Sequence, residues 1–178
     1  MQNTKARTIS RVDTLAMAQF LTLALSASIL PFFIHAQWIT GPIMNAIFVL
    51  SLFLVGIRAS LSLCLVPSVI ALSSGLIPAV LAPMVPFIMI SNIIFVLGID
   101  FFIKDRNQVS IMNYFWGAFV GAFLKFIFLF LSVNIISQLL IQKELIIKIS
   151  QIMGSAQFVT AFAGAFLAFF ILKWLRKV

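Results

Sequence analysis

From Ile111 to Leu140 the chain runs for 30 residues with a single charged side chain, Lys125. Crossing a hydrocarbon core of about 30 Å takes about 20 predominantly apolar residues, so this run is long enough to span a bilayer. Its setting agrees: the 178 residues are 63% hydrophobic and 9% charged with a mean hydropathy of +1.20, a balance that no water-soluble domain of this size carries on its surface. The sequence therefore reads as an integral membrane protein. Its length leaves room for six spans and no soluble catalytic domain beside them.

The expected fold is all-α, with six transmembrane helices over Thr14–Ile34, Pro42–Ile57, Ala59–Ser74, Pro78–Ile103, Ile111–Leu140 and Ser150–Leu175. At 16 residues each, helices 2 and 3 reach only about 24 Å, and are expected to be thin, distorted or shielded. The first run exceeds the roughly 7–15 residues of a signal-peptide core and is kept as a span. Basic residues stay on the cytoplasmic side. With both termini placed there, that side collects Lys5, Arg7, Arg11, Arg58, Lys104, Arg106, Lys173, Arg176 and Lys177, against Lys143 and Lys148 opposite. The net charge of +8 is thus explained by topology and lipid headgroups rather than by nucleic acid. Cys64, the only cysteine, excludes an intramolecular disulfide or a cysteine-based cluster, and reads as a small buried apolar residue.

Between the first two apolar runs lies Gln37-Trp38-Ile39-Thr40-Gly41-Pro42-Ile43-Met44-Asn45, where polar and conformationally special residues gather. Thr40 is an expected helix cap, with Gly41 and Pro42 suited to a loop-to-helix transition and Asn45 in the first turn of helix 2. On that reading the loop lies on the outer face, where a small polar or anionic ligand would meet the positive end of the helix dipole. The alternative is a plain tight turn. Pro78, Pro83 and Pro86 predict an irregular or kinked outer end of helix 4, the kind of backbone tolerated at membrane depth only when protein or a cavity covers it.

Lys125 is the sharpest functional signal. It stands mid-span, one and two turns after Gly121 and Gly117, and a lysine at the bilayer centre costs a few kcal/mol on insertion scales. Asp13, Asp100, Asp105 and Glu144 all fall at helix ends or in loops, so an internal salt bridge is not expected. Two readings stand: a ligand supplies the counter-charge, or carbonyls and amides such as Asn92 satisfy the amine. Gln157 and Thr160 lie in the outer half of helix 6, repeating the spacing of Gln37 and Thr40. Together with Trp38, Asn45, Asn92 and Lys125 they form the candidate substrate site. Trp38 is either a stacking lid or an interfacial belt residue, and His35 reads as interfacial rather than as a metal ligand.

Small residues recur at helical spacing on helix 1 (Thr14, Ala18, Thr22, Ser26), helix 5 (Gly117, Gly121) and helix 6 (Ala156, Thr160, Gly164, Ala168). Such stripes let backbones approach closely, either within the chain or against a partner. No zinc-protease, nucleophile-elbow or phosphate-loop motif is present, nor any pair of intramembrane carboxylates, so neither an enzyme nor a proton-coupled carrier working alone is expected. No cofactor or metal is expected either.

The chain resembles the substrate-binding S components of energy-coupling factor (ECF) transporters, in particular a subgroup with Gln-x-Ile-Thr-Gly-Pro-x-x-Asn after the first span. The likeness is carried by Gln37–Asn45, Pro67–Leu72, Ala82–Met89, Asn92, Lys125-Phe126 and Gln157–Ala161. It implies a six-helix protein of the bacterial plasma membrane that captures a vitamin-like micronutrient from outside, working with a transmembrane T component and two cytoplasmic ATPases. It also implies a docking motif, Ala-x-x-x-Ala, on helix 1. The nearest matches here are Ala18-x-x-x-Thr22 and Ala24-x-x-x-Ser28, both departing from the full pattern. Competing readings are a non-transporting membrane scaffold and a stand-alone secondary carrier.

Overall fold

A computed structural model describes residues 11–34, 36–75, 79–103, 109–137 and 153–178. Among these residues all regular structure is helical, in six α-helices: α1 (Arg11–Phe33), α2 (Gln37–Leu54), α3 (Ile57–Ser73), α4 (Val85–Phe102), α5 (Ile111–Ser137) and α6 (Ser155–Trp174). A 3₁₀ segment, Ala79–Met84, leads into α4. Four helical stretches are long and apolar enough to cross a membrane: Thr14–Phe33, Ala82–Phe102, Ile111–Ile135 and Ser155–Trp174. The protein is membrane-embedded on that ground. Trp38–Leu54 and Ile57–Ser73 are shorter apolar helices, as their sequence lengths foretold.

In a bilayer, lipid tails are as apolar as the side chains, so helices associate through close packing rather than escape from water. Glycines make the two tightest seams. A Cβ on Gly98 of α4 would lie 2.5 Å from the Cα of Gly121 on α5, and one on Gly121 would lie 2.6 Å from the Phe95 carbonyl oxygen. Across the second seam, a Cβ on Gly164 of α6 would sit 2.6 Å from both the Pro42 carbonyl oxygen and the Asn45 Cβ on α2. The small-residue stripes of α5 and α6 thus serve internal packing. These contacts run α4 antiparallel to α5 and α2 parallel to α6, the pattern of an up-and-down bundle.

Other joints are polar or aromatic. Ser60 donates to the Phe48 carbonyl at 2.7 Å, tying α3 to α2 across a turn that Gly56 makes at φ 127°. The Tyr114 hydroxyl donates to the Ala165 carbonyl at 2.7 Å, and Phe119 meets Phe158 edge-on at 5.6 Å, closing α5 on α6. By contrast α1 is peripheral. Its Thr14, Ala18 and Thr22 are exposed, with Thr22 donating back to the Ala18 carbonyl at 2.9 Å. Ala24 and Ser28 are half-buried, and Ala24 packs on the core. Of the two expected docking motifs, Ala18–Thr22 is therefore the one on the outer face.

The start of helix 2 differs from expectation. Thr40 does not cap it: the helix begins at Gln37 after Ala36, which makes no side-chain cap bond, and Thr40 lies inside, donating to the Ala36 carbonyl at 3.0 Å. Consequently Asn45 is not in the first turn, and Gln37–Gly41 is helix rather than loop. Pro31 and Pro67 likewise stand inside α1 and α3, after Leu30 and Val66, so an internal proline does not end these helices, and at Pro42 the preceding Gly41 eases the fit. The clash between a proline ring and the preceding residue's Cβ is absent when that residue is glycine, so Pro42 forfeits one hydrogen bond without ending the helix. The same glycine accepts Thr160, whose Cβ would lie 2.9 Å from a Cβ placed there. At helix 4, Pro83 in the 3₁₀ segment and Pro86 at the start of α4 act as expected, while Pro78 lies outside the described residues.

Gly164→Ala tests the α2–α6 seam. With backbone oxygen on one side and a Cβ on the other, the added methyl has nowhere to go. We expect a loss of about 1–3 kcal/mol, read as a lower thermal unfolding midpoint in detergent.

Candidate functional site

Lys125 lies one helical turn beyond Gly121, so the glycine seam that presses α5 onto α4 also brings the lysine level with Asn92. On the other side the Gly164 contact fixes Asn45 on α2. The ammonium donates to Asn45 Oδ1 at 2.7 Å and to Asn92 Oδ1 at 2.8 Å, and sits 5.6 Å from the centroid of the Phe95 ring. Asn45 is itself oriented by its Nδ2, which donates to the Gly41 carbonyl at 2.8 Å. Lys125 is 3% exposed.

The electrostatic balance of this cluster is unequal. An ammonium has three donors, and two are taken by the amide oxygens. Charge-assisted bonds of this kind contribute about 1.5–3 kcal/mol each, which holds the amine in place. Amides bring dipoles but no net charge, however, and among the described residues Lys125 has no carboxylate partner and no third acceptor. Asn92 Nδ2 likewise makes no hydrogen bond among them. Among the described residues the amine thus has no opposite charge beside it, and donors remain over on it and on Asn92.

Beside these groups is a cavity of about 180 Å³. All six helices contribute to its wall: Pro31 from α1, Met44, Asn45 and Phe48 from α2, Pro67, Ser68 and Ala71 from α3, Ile88 and Asn92 from α4, Lys125 from α5, and Gln157 from α6. It lies toward the bundle end where α1 and α3 finish and α2, α4 and α6 start. Arg58, Lys173, Arg176 and Lys177 are at the other end. A larger hollow, about 310 Å³, is a groove between Met112, Phe115, Trp116 and Phe119 on α5, and its wall has no charged side chain. Volume favours the groove, but of these two only the smaller cavity brings polar side chains together.

Of the residues singled out in the sequence, Asn45, Asn92, Lys125 and Gln157 meet at the cavity wall. Trp38, Thr40 and Thr160 do not. Trp38 is 64% exposed at the start of α2, and Thr40 spends its hydroxyl on Ala36. Thr160 is buried, donates to the Ala156 carbonyl at 2.8 Å and acts as a spacer against Gly41. The side chain of Gln37 and the whole of His35 lie outside the described residues. Cys64 is buried and free, as a small apolar residue would be.

Pro31, Met44, Phe48, Pro67, Ser68, Ala71 and Ile88 were not read as site residues. For five of them a signal existed, since Met44, Pro67, Ser68, Ala71 and Ile88 belong to the stretches that carry the family resemblance. Compared with known proteins, the chain matches no family model, no curated protein and no solved structure.

Proposed function

We propose that the chain is the substrate-capture subunit of an ECF-type importer, taking a small anionic, vitamin-like solute into the Lys125 cavity. The observation that carries this reading is a buried ammonium, held by two neutral amides and facing no carboxylate among the described residues, on the wall of a cavity to which six helices contribute. The two amide bonds brace α2, α4 and α5, but they bring no opposite charge, and a mid-membrane charge costs free energy until a counter-charge repays it. A solute carrying the missing negative charge repays it on arrival. The resemblance in the stretches around Asn45, Pro67, Ile88 and Gln157 supports the same reading, since each supplies part of the wall.

In the proposed topology all six helices span the bacterial plasma membrane with both termini cytoplasmic. Arg58, Lys173, Arg176 and Lys177 then face the cytoplasm by the positive-inside rule, and the cavity lies in the outer half. The subunit has no ATP site of its own in this reading and delivers its cargo with a T component and two ATPases, docking through the exposed Ala18–Thr22 face of α1. It is a carrier subunit, not an enzyme. Native mass spectrometry of gently purified protein tests the proposal. We expect a retained small solute and copurification of the T component and ATPases. An empty protein recovered with other membrane partners would overturn it in favour of a scaffold.

A further inference from the structure

We infer that the captured solute is a compact organic monoanion, with a carboxylate-type head against Lys125 and Asn92 and a small apolar body against Phe48, Met44 and Ile88. The inference rests on the capture reading and adds the chemical class of the cargo.

Charge sets the head group. Among the described residues on the cavity wall Lys125 is the only ionisable side chain, so one negative charge is matched and a second would be buried without a partner. The free donors suit a planar, two-oxygen acceptor: one remaining N–H on the ammonium and the two on Asn92 Nδ2. A cation would be repelled, and a neutral solute would leave the ammonium as uncompensated as before.

Volume and lining set the body. Apolar cavities of about 150 Å³ take up benzene, so a cavity of about 180 Å³ suits a solute of about six to ten non-hydrogen atoms. Chloride or another small inorganic anion would fill the polar corner and leave the apolar wall of Pro31, Met44, Phe48 and Ile88 without contacts. A fused bicyclic acid exceeds that volume and would leave part of its apolar surface outside the wall.

The experiment measures thermal shift of the full-length protein in detergent with benzoate, cyclohexanecarboxylate and hexanoate, each beside its neutral carboxamide, and with phthalate, 1-naphthoate and sodium chloride. We expect at least one monocarboxylate to stabilise the protein, with its carboxamide at least about tenfold weaker because the charge-assisted bond is lost. Phthalate, naphthoate and chloride should be weaker than that monocarboxylate. Asn92→Asp supplies an internal carboxylate to the ammonium while preserving size, so the variant should fold and lose the preference for carboxylate over carboxamide. Equal binding of acid and amide, tighter binding of phthalate, naphthoate or chloride, or an unchanged preference in Asn92→Asp would overturn the inference. A retained solute of another charge class, identified by native mass spectrometry, would overturn it while leaving the capture reading intact. Absence of both a retained solute and any response would remove both.

Discussion

Lys125→Met is expected to weaken binding of an anionic solute by about 10- to 150-fold, the equivalent of one charge-assisted hydrogen bond of about 1.5–3 kcal/mol, without loss of the helical fold. Methionine keeps the length and flexibility of the stem and removes only the charge. Two opposing terms then set the stability of the empty protein. Asn45 Oδ1 and Asn92 Oδ1 each lose a donor, which is unfavourable, but a buried ammonium with no opposite charge among the described residues is also removed. Insertion scales put a central lysine at about 2.5–3.5 kcal/mol, comparable with leaving two amide oxygens unpaired at about 1–3 kcal/mol each. The thermal midpoint of the variant should accordingly move little while affinity collapses. A brace between α2, α4 and α5 behaves differently. If the amine served only to tie Asn45 to Asn92, any solute binding would survive unchanged in the folded fraction, whatever the midpoint did. Measuring both quantities on the same preparation separates the two roles.

The residues that were legible in the sequence share one property: they are polar at a depth where polarity is costly. Lys125, Asn92, Asn45 and Gln157 stand inside apolar runs, and such residues face the bundle interior rather than lipid, so their convergence at one wall follows from a general rule. Thr40 and Thr160 escape that rule. A threonine can satisfy its hydroxyl on the carbonyl four residues back, as both do here, and is then indifferent to which face it occupies. The apolar half of the cavity left little trace, because a phenylalanine that lines a hollow, such as Phe48, and one exposed on the outside of the bundle, such as Phe170, are the same residue in the same kind of run. Helix existence was legible from run length in every case. The start of α2 was not, because Gly-Pro reads as a break unless it is known that Gly41 has Thr160 packed against it. Local preference pointed to a loop, and the tertiary contact belongs with a helix.

Gly121→Leu should damage stability and binding together, and by more than an alanine substitution on the exposed face of α5. The cause is backbone against backbone. A Cβ at Gly121 would lie 2.6 Å from the Phe95 carbonyl oxygen, and Gly98 opposite has no side chain that could move aside. Relief requires α5 to shift away from α4, costing about 1–3 kcal/mol or more for overpacking, with further loss as the Gly117–Ile99 contact opens. Lys125 is one turn along the same helix, so the displacement lengthens its 2.8 Å bond to Asn92, and a hydrogen bond weakens steeply with such stretching and misalignment. Leu124→Ala provides the contrast: at 44% exposure it sits beside Lys125 in sequence but on the outer face, where changes stay within about 0.5 kcal/mol. The expected pattern is a lowered midpoint and lost binding in Gly121→Leu, with both retained in Leu124→Ala. Binding that persists in a destabilised Gly121→Leu would mean that the glycine seam holds the bundle together without setting the position of the lysine. The site would then owe its geometry to Asn45 and the α2–α6 seam alone.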